Sequence, residues 1–116
     1  MASTFVVKTS KNIGNTWSLI NNYTVDAATT GVILGIAVTN TTGATISANV
    51  GIFTGNYAAG SSANVYLIYN APISSGGTLI PVGVDQKVVL ATGYGVFVQT
   101  SAATSADAVM SVLELT

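Results

Sequence analysis

The chain has no cysteine and no histidine. Without cysteine it can form neither a disulfide nor a thiolate metal site. Without histidine it lacks the commonest metal ligand and the commonest general acid–base group. Arginine is absent too, so three lysines face four carboxylates for a net charge of −1. Charged residues are 6% of the 116 positions, against roughly 25% in an ordinary soluble domain. A nucleic-acid partner is disfavoured on this ground, because no basic cluster exists to neutralise phosphates. Long apolar runs are missing as well. The longest, Gly31 to Val38, falls far short of the ~20 residues that a membrane helix needs. Met1 to Ser10 has no basic flank followed by an apolar core, so no signal peptide and no membrane partner are expected. The two prolines, Pro72 and Pro81, donate no amide hydrogen and belong at strand ends or sheet edges.

What remains is 49% apolar, with much of the rest Ser, Thr, Asn and Gly. A free monomer normally keeps itself soluble with interspersed charges. A surface of small polar groups with apolar patches suits a subunit that lives against other subunits. The competing reading is a compact domain whose Ser/Thr coat suffices for solubility.

Short runs rich in β-branched and aromatic residues recur every 8 to 12 positions, each stopped by Gly, Pro or a polar cluster. Tyr66 to Gln99 shows this grammar most clearly. Further strands are expected at Thr4 to Lys8, Trp17 to Val25, Val32 to Thr39, Thr45 to Thr54 and Ala106 to Leu115. Val32, Leu34, Ile36 and Val38 alternate onto one face, and Ile46, Ala48, Val50 and Ile52 do the same in the next strand. The turn Asn40-Thr41-Thr42-Gly43 between them reads as a hairpin, with Gly43 free to take positive φ. In the strand ending at Asn70, Val65, Leu67 and Tyr69 fall on one face and Tyr66 and Ile68 on the other. The last strand is apolar on both faces, which predicts cover on both sides. The expected fold is an all-β antiparallel sandwich, jelly-roll-like, of about seven to eight strands. Residues 1–16 form an N-terminal arm or edge strand, and 17–116 a single sandwich domain.

No pattern carries catalytic chemistry. Asp26, Asp85, Asp107 and Glu114 are scattered singly, and a glycosidase-type pair would need folding to bring two together. Solvated or loop-capping roles are the simpler reading, so no enzyme activity, cofactor or metal is expected. The Gly51 to Gly55 and Gly93-Tyr94-Gly95 stretches open no helix and are not phosphate loops. Tyr57, Tyr66 and Tyr94, with Trp17, could stack against sugars in a lectin-like module. The aromatic and aliphatic neighbours Tyr66 and Ile68 fit a protein–protein patch better. Lys8 and Lys11 make the N-terminal segment mildly basic and give it reach toward an acidic partner surface; a frayed terminus is the alternative.

The second half resembles small structural proteins of tailed bacteriophages. The resemblance rests on Ile80-Pro81-Val82-Gly83, Lys87-Val88-Val89-Leu90, Gly93, Val96-Phe97-Val98 and Ser111-Val112-Leu113-Glu114-Leu115, and spans roughly Gly31 to Thr116. Many such proteins carry Gly-Asp in the turn where this chain has Gly93-Tyr94. The resemblance implies a non-enzymatic, β-rich virion component, often a homotrimer. It implies binding between major capsid subunits as a cement (decoration) protein, on the capsid surface of a particle assembled in the host cytoplasm. A tail, baseplate or fibre subunit, with or without a carbohydrate-binding role, is the alternative. The candidate interface residues are Lys8, Lys11, Tyr66, Ile68, Tyr94 and Phe97.

Overall fold

The computed structural model describes residues 2–54, 65–83 and 87–116. Within them the chain runs β1 (Ser3–Ile13), β2 (Ser18–Leu19), a 3-10 turn (Ile20–Asn22), β3 (Thr30–Asn40), β4 (Ile46–Phe53), β5 (Val65–Ile73), β6 (Thr78–Val82), β7 (Val88–Leu90), β8 (Gly95–Thr100) and β9 (Ala106–Leu115). All pairings are antiparallel. One sheet has the order β1-β9-β3-β6, with β7 also on β3, and the other has the order β2-β8-β4-β5. Successive strands alternate between the sheets except at β4–β5, a pair within one sheet, and at β6–β7, and the first and last strands are neighbours. This is jelly-roll topology, the expected fold. The small β7 extends the count: β6 pairs with β3 over Ile36 to Thr39, and β7 takes the stretch Gly31 to Ile33.

The sandwich core follows from strand alternation. Ile46, Ala48, Val50 and Ile52 all point inward from β4, as their spacing predicts. Val82, Val96, Val98, Met110 and Val112 complete the same buried cluster. Burying each such side chain is worth about 1.5–3 kcal/mol.

Three sequence expectations fail for identifiable reasons. First, the face of β3 switches. Gly31 and Ile33 are buried, then a register shift between Ile33 and Gly35 changes the parity, and Ile36, Val38 and Asn40 are buried. A bulge adds one residue to the alternation, so Val32 and Leu34 lie opposite to the face expected for them. Second, Thr30–Asn40 and Ile46–Phe53 are not a hairpin, because they belong to different sheets. Their connection is organised by Asn40 rather than by a positive φ at Gly43. The Asn40 amide donates to the carbonyls of Ala44 at 2.7 Å and Ile73 at 2.9 Å, and its Oδ1 accepts from the Thr42 amide at 2.8 Å. One buried side chain therefore ties the crossover to the end of β5. Third, Trp17 to Val25 is not one strand. It holds only the two residues of β2 before turning, with Asn21 and Asn22 at φ 55° and 50°.

Candidate interaction surfaces

The outer face of the β1-β9-β3-β6 sheet is built by cross-strand register. Phe5 stands opposite Leu113, Leu113 opposite Val32, and Val32 opposite Val89. These four form one apolar row across β1, β9, β3 and β7. Val109 faces Ala37 beside that row. Phe5 is 75% exposed, Val7 62%, Ile80 64% and Val89 63%. Leu34, Ala37, Ile80 and Val109 line a shallow groove of about 390 Å³ on the same face. The last strand is thus covered on one side only: Met110 and Val112 are in the core, whereas Val109 is open to solvent. Contiguous exposed apolar area of this kind marks an interaction surface.

The outer face of the other sheet is aromatic. The Trp17 and Phe97 rings stack at 5.2 Å, Tyr66 meets Phe97 edge-on at 5.4 Å, and Tyr69 meets Tyr66 at 5.0 Å. Trp17 also contacts Phe53 at 5.8 Å. Gly51 is the cross-strand partner of both Phe97 and Tyr66. A Cβ at position 51 would lie 2.3 Å from the Phe97 ring and 2.5 Å from the Val65 carbonyl. The glycine therefore provides the seat on which Phe97 lies, and Phe97 is 1% exposed.

The expected interface residues separate accordingly. Tyr66 is on the outer face, as expected. Phe97 is not available to a partner, because neighbouring rings bury it. Ile68 packs against the core cluster together with Leu67. Register shifts on either side of Val50, whose partner is Ile68, change the parity of β5, so Tyr69 emerges beside Tyr66 instead of pointing inward. Tyr94 packs against the core, and its carbonyl accepts the Val25 amide at 2.9 Å. The sugar-stacking set is therefore not assembled: Tyr66 and Trp17 share the Phe97 cluster, Tyr94 does not, and Tyr57 lies outside the described residues.

Both N-terminal lysines are engaged within the chain. Lys8 Nζ sits 4.8 Å above the Tyr23 ring. Lys11 pairs with Asp107 at 3.8 Å, an exposed contact of little energetic weight. Residues Ser3 to Ser10 pair continuously with β9, so this segment is an edge strand of the sandwich.

Two of the carboxylates, Asp107 and Glu114, have structural partners. Asp107 Oδ1 accepts the Asn12 amide at 3.0 Å. Glu114 Oε2 accepts the Tyr23 hydroxyl at 2.6 Å. Burial, then the hydrogen bond to and charge of Glu114, and finally Asp26, raise the Tyr23 hydroxyl well above its ordinary pKa. Asp85 lies outside the described residues. Among the described residues no group of three or more acidic side chains could hold a metal ion. No helix of the described residues is long and apolar enough to cross a membrane.

No known family and no curated protein matches the chain. Among solved structures, the fold is similar to one described as Bacillus endospore appendages that form a family of disulfide-linked pili. The identity is 10% and the TM-score 0.56, over 99% of this chain and 87% of the other. At that identity the likeness concerns the jelly-roll fold.

Proposed function

We propose that this protein is a non-catalytic structural subunit of a bacteriophage particle, working as a cement protein on the head. The reading is supported chiefly by the outer face of the β1-β9-β3-β6 sheet, where Phe5, Leu113, Val32 and Val89 form an uncharged apolar row with Val7, Ile80 and Val109 exposed nearby. That row is costly to leave in water and is itself uncharged; the charges of this face, Lys87 at the groove and the Lys11–Asp107 pair beside Val109, lie around it. It fits a second protein surface. The resemblance of Ile80 to Gly83, Lys87 to Leu90 and Ser111 to Leu115 to tailed-phage structural proteins supports the virion as the setting. The fold is compatible with assembly, since a jelly roll of similar shape occurs in a pilus structure. That pilus is described as disulfide-linked; a chain without cysteine must hold its assembly by non-covalent contacts.

Cement action then rests on apolar and backbone contacts. Exposed ion pairs contribute only about 0–1 kcal/mol each, and this chain has few charges to form them. Binding should persist at 1 M salt, where the Debye length is about 3 Å. The experiment strips virions of the protein and adds it back in fluorescently labelled form. Label on heads at 1 M salt, with restored heat resistance, is the expected result. Label confined to tails would refute the head assignment, and no binding to any particle would refute the virion reading.

A further inference from the structure

The strands at the sheet edges are unequally protected. β2 has two residues and β7 three. β6 contains Pro81, and β5 contains Pro72 and two register shifts against β4. Short edges, prolines, bulges and edge lysines are devices that stop a strand from pairing with another molecule; of these β1 has the lysines, Lys8 and Lys11, both engaged within the chain. β1 is different. It spans 11 residues at the end of its sheet and has no proline, and its register is unbroken from Ser3 to Ser10.

The ladder fixes which β1 groups are free. Ala2 and Thr116 exchange both backbone hydrogen bonds, at 3.1 and 2.9 Å. Reciprocal pairs recur at every second residue of an antiparallel ladder. Thr4, Val6, Lys8 and Ser10 therefore spend their amides and carbonyls on β9, across from Glu114, Val112, Met110 and Ala108. Ser3, Phe5, Val7 and Thr9 point theirs away from the sheet.

We infer that the free edge of β1, over Ser3 to Thr9, is a seam at which a second copy of this chain pairs antiparallel about a two-fold axis at Val6. That register sets Phe5 against the partner copy's Val7 and Ser3 against its Thr9. Phe5 and Val7 are among the most exposed apolar side chains of the described residues, and an aromatic–β-branched cross-strand pair covers both. No like charges meet. Lys8 would face Thr4, with its ammonium over Tyr23, and Lys11 lies beyond the unbroken register, held by Asp107. Each reciprocal pair adds two backbone hydrogen bonds, and the apolar rows of two copies merge into one continuous outer face. An isologous seam of this kind closes at two copies. The inference rests on the assembly reading above but not on the head as the place of assembly.

The test is a proline scan read by light scattering and residue-resolved hydrogen exchange. Val7→Pro removes an amide that β9 does not use, so the fold and its far-UV circular dichroism should persist while the mass falls from two copies to one. Val6→Pro removes an amide bonded to β9 and should cost stability instead. In the wild type the Phe5 and Thr9 amides should exchange at least about a hundredfold more slowly than in Val7→Pro, as amides bonded only within the dimer must. A wild-type mass of one copy or of three, a Val7→Pro variant that remains a dimer, or freely exchanging Phe5 and Thr9 amides would overturn the seam. A wild type that binds heads with those amides unprotected would overturn the seam alone. A dimer that binds no particle would leave the seam and refute the virion reading.

Discussion

Phe97 separates a residue that supports the fold from one that meets a partner. Its position on an outward sheet face suits an interface, yet its ring is 1% exposed. It lies over Gly51, between Trp17 at 5.2 Å and Tyr66 at 5.4 Å. Phe97→Ala removes a buried aromatic ring and leaves a cavity under two other rings, a loss of about 3–5 kcal/mol. That is a large part of the roughly 5–15 kcal/mol available to a domain of this size. At about 3–6 °C per kcal/mol, interpolating between smaller and larger domains, the melting temperature should fall by about 9–30 °C. Thermal unfolding followed by circular dichroism at several protein concentrations measures this. The drop should be independent of concentration, because the lost contacts are within one chain. A variant that melts within about 2 °C of wild type but loses mass by light scattering would refute the assignment and return Phe97 to the interface.

Two further outcomes follow from the same structure. Gly51→Ala should destabilise by more than the ordinary effect of a surface substitution, about 0.5 kcal/mol, because its Cβ meets both a ring and a backbone carbonyl; denaturant unfolding checks this, and an unchanged midpoint would contradict the packing. Tyr23 gives a pH effect of definite sign. Its folded-state pKa is raised, so its contribution is complete below the ordinary tyrosine pKa of about 10. The contribution is lost as pH rises above that value, where the unfolded chain ionises first and binds fewer protons than the folded one. Stability should therefore fall above about pH 10, and less steeply in Tyr23→Phe; identical alkaline slopes in the two proteins would contradict the raised pKa that burial and then Glu114 impose on Tyr23.

Much of the architecture was legible in the chain. Strand spacing and the Gly and Pro stops led to an antiparallel jelly roll, and the inward face of Ile46 to Ile52 was read directly from alternation. The errors lie where alternation is interrupted. The bulge near Leu34 and the register shifts about Val50 insert or skip a residue, and a period-two reading carried across such a point places the side chains on one side of it on the wrong face. Leu34, Ile68 and Tyr69 were misplaced for that reason. The apparent hairpin failed because a short polar turn serves equally well to cross between sheets. The sheet pairing and the Asn40 hydrogen bonds to Ala44 in the crossover and to Ile73 at the end of β5 distinguish the two cases. The burial of Phe97 had a sequence signal in the glycine opposite it, but the signal is readable only once the β4–β8 register is known. The contacts of Lys8 with Tyr23 and of Lys11 with Asp107 are not legible in the sequence, because the partners are remote along the chain.

The most direct test of the structural-subunit account is quantitative add-back to stripped heads at 1 M salt, comparing wild type with Val109→Asp and Ile80→Asp. Both positions are exposed on the apolar sheet face, so the variants should fold normally. A carboxylate introduced on that face and desolvated on binding should cost at least about 2 kcal/mol of binding, or roughly thirtyfold in affinity. The account predicts tight, salt-resistant wild-type binding and that loss in each variant. Equal binding of wild type and variants, or wild-type binding that disappears at 1 M salt, would contradict it.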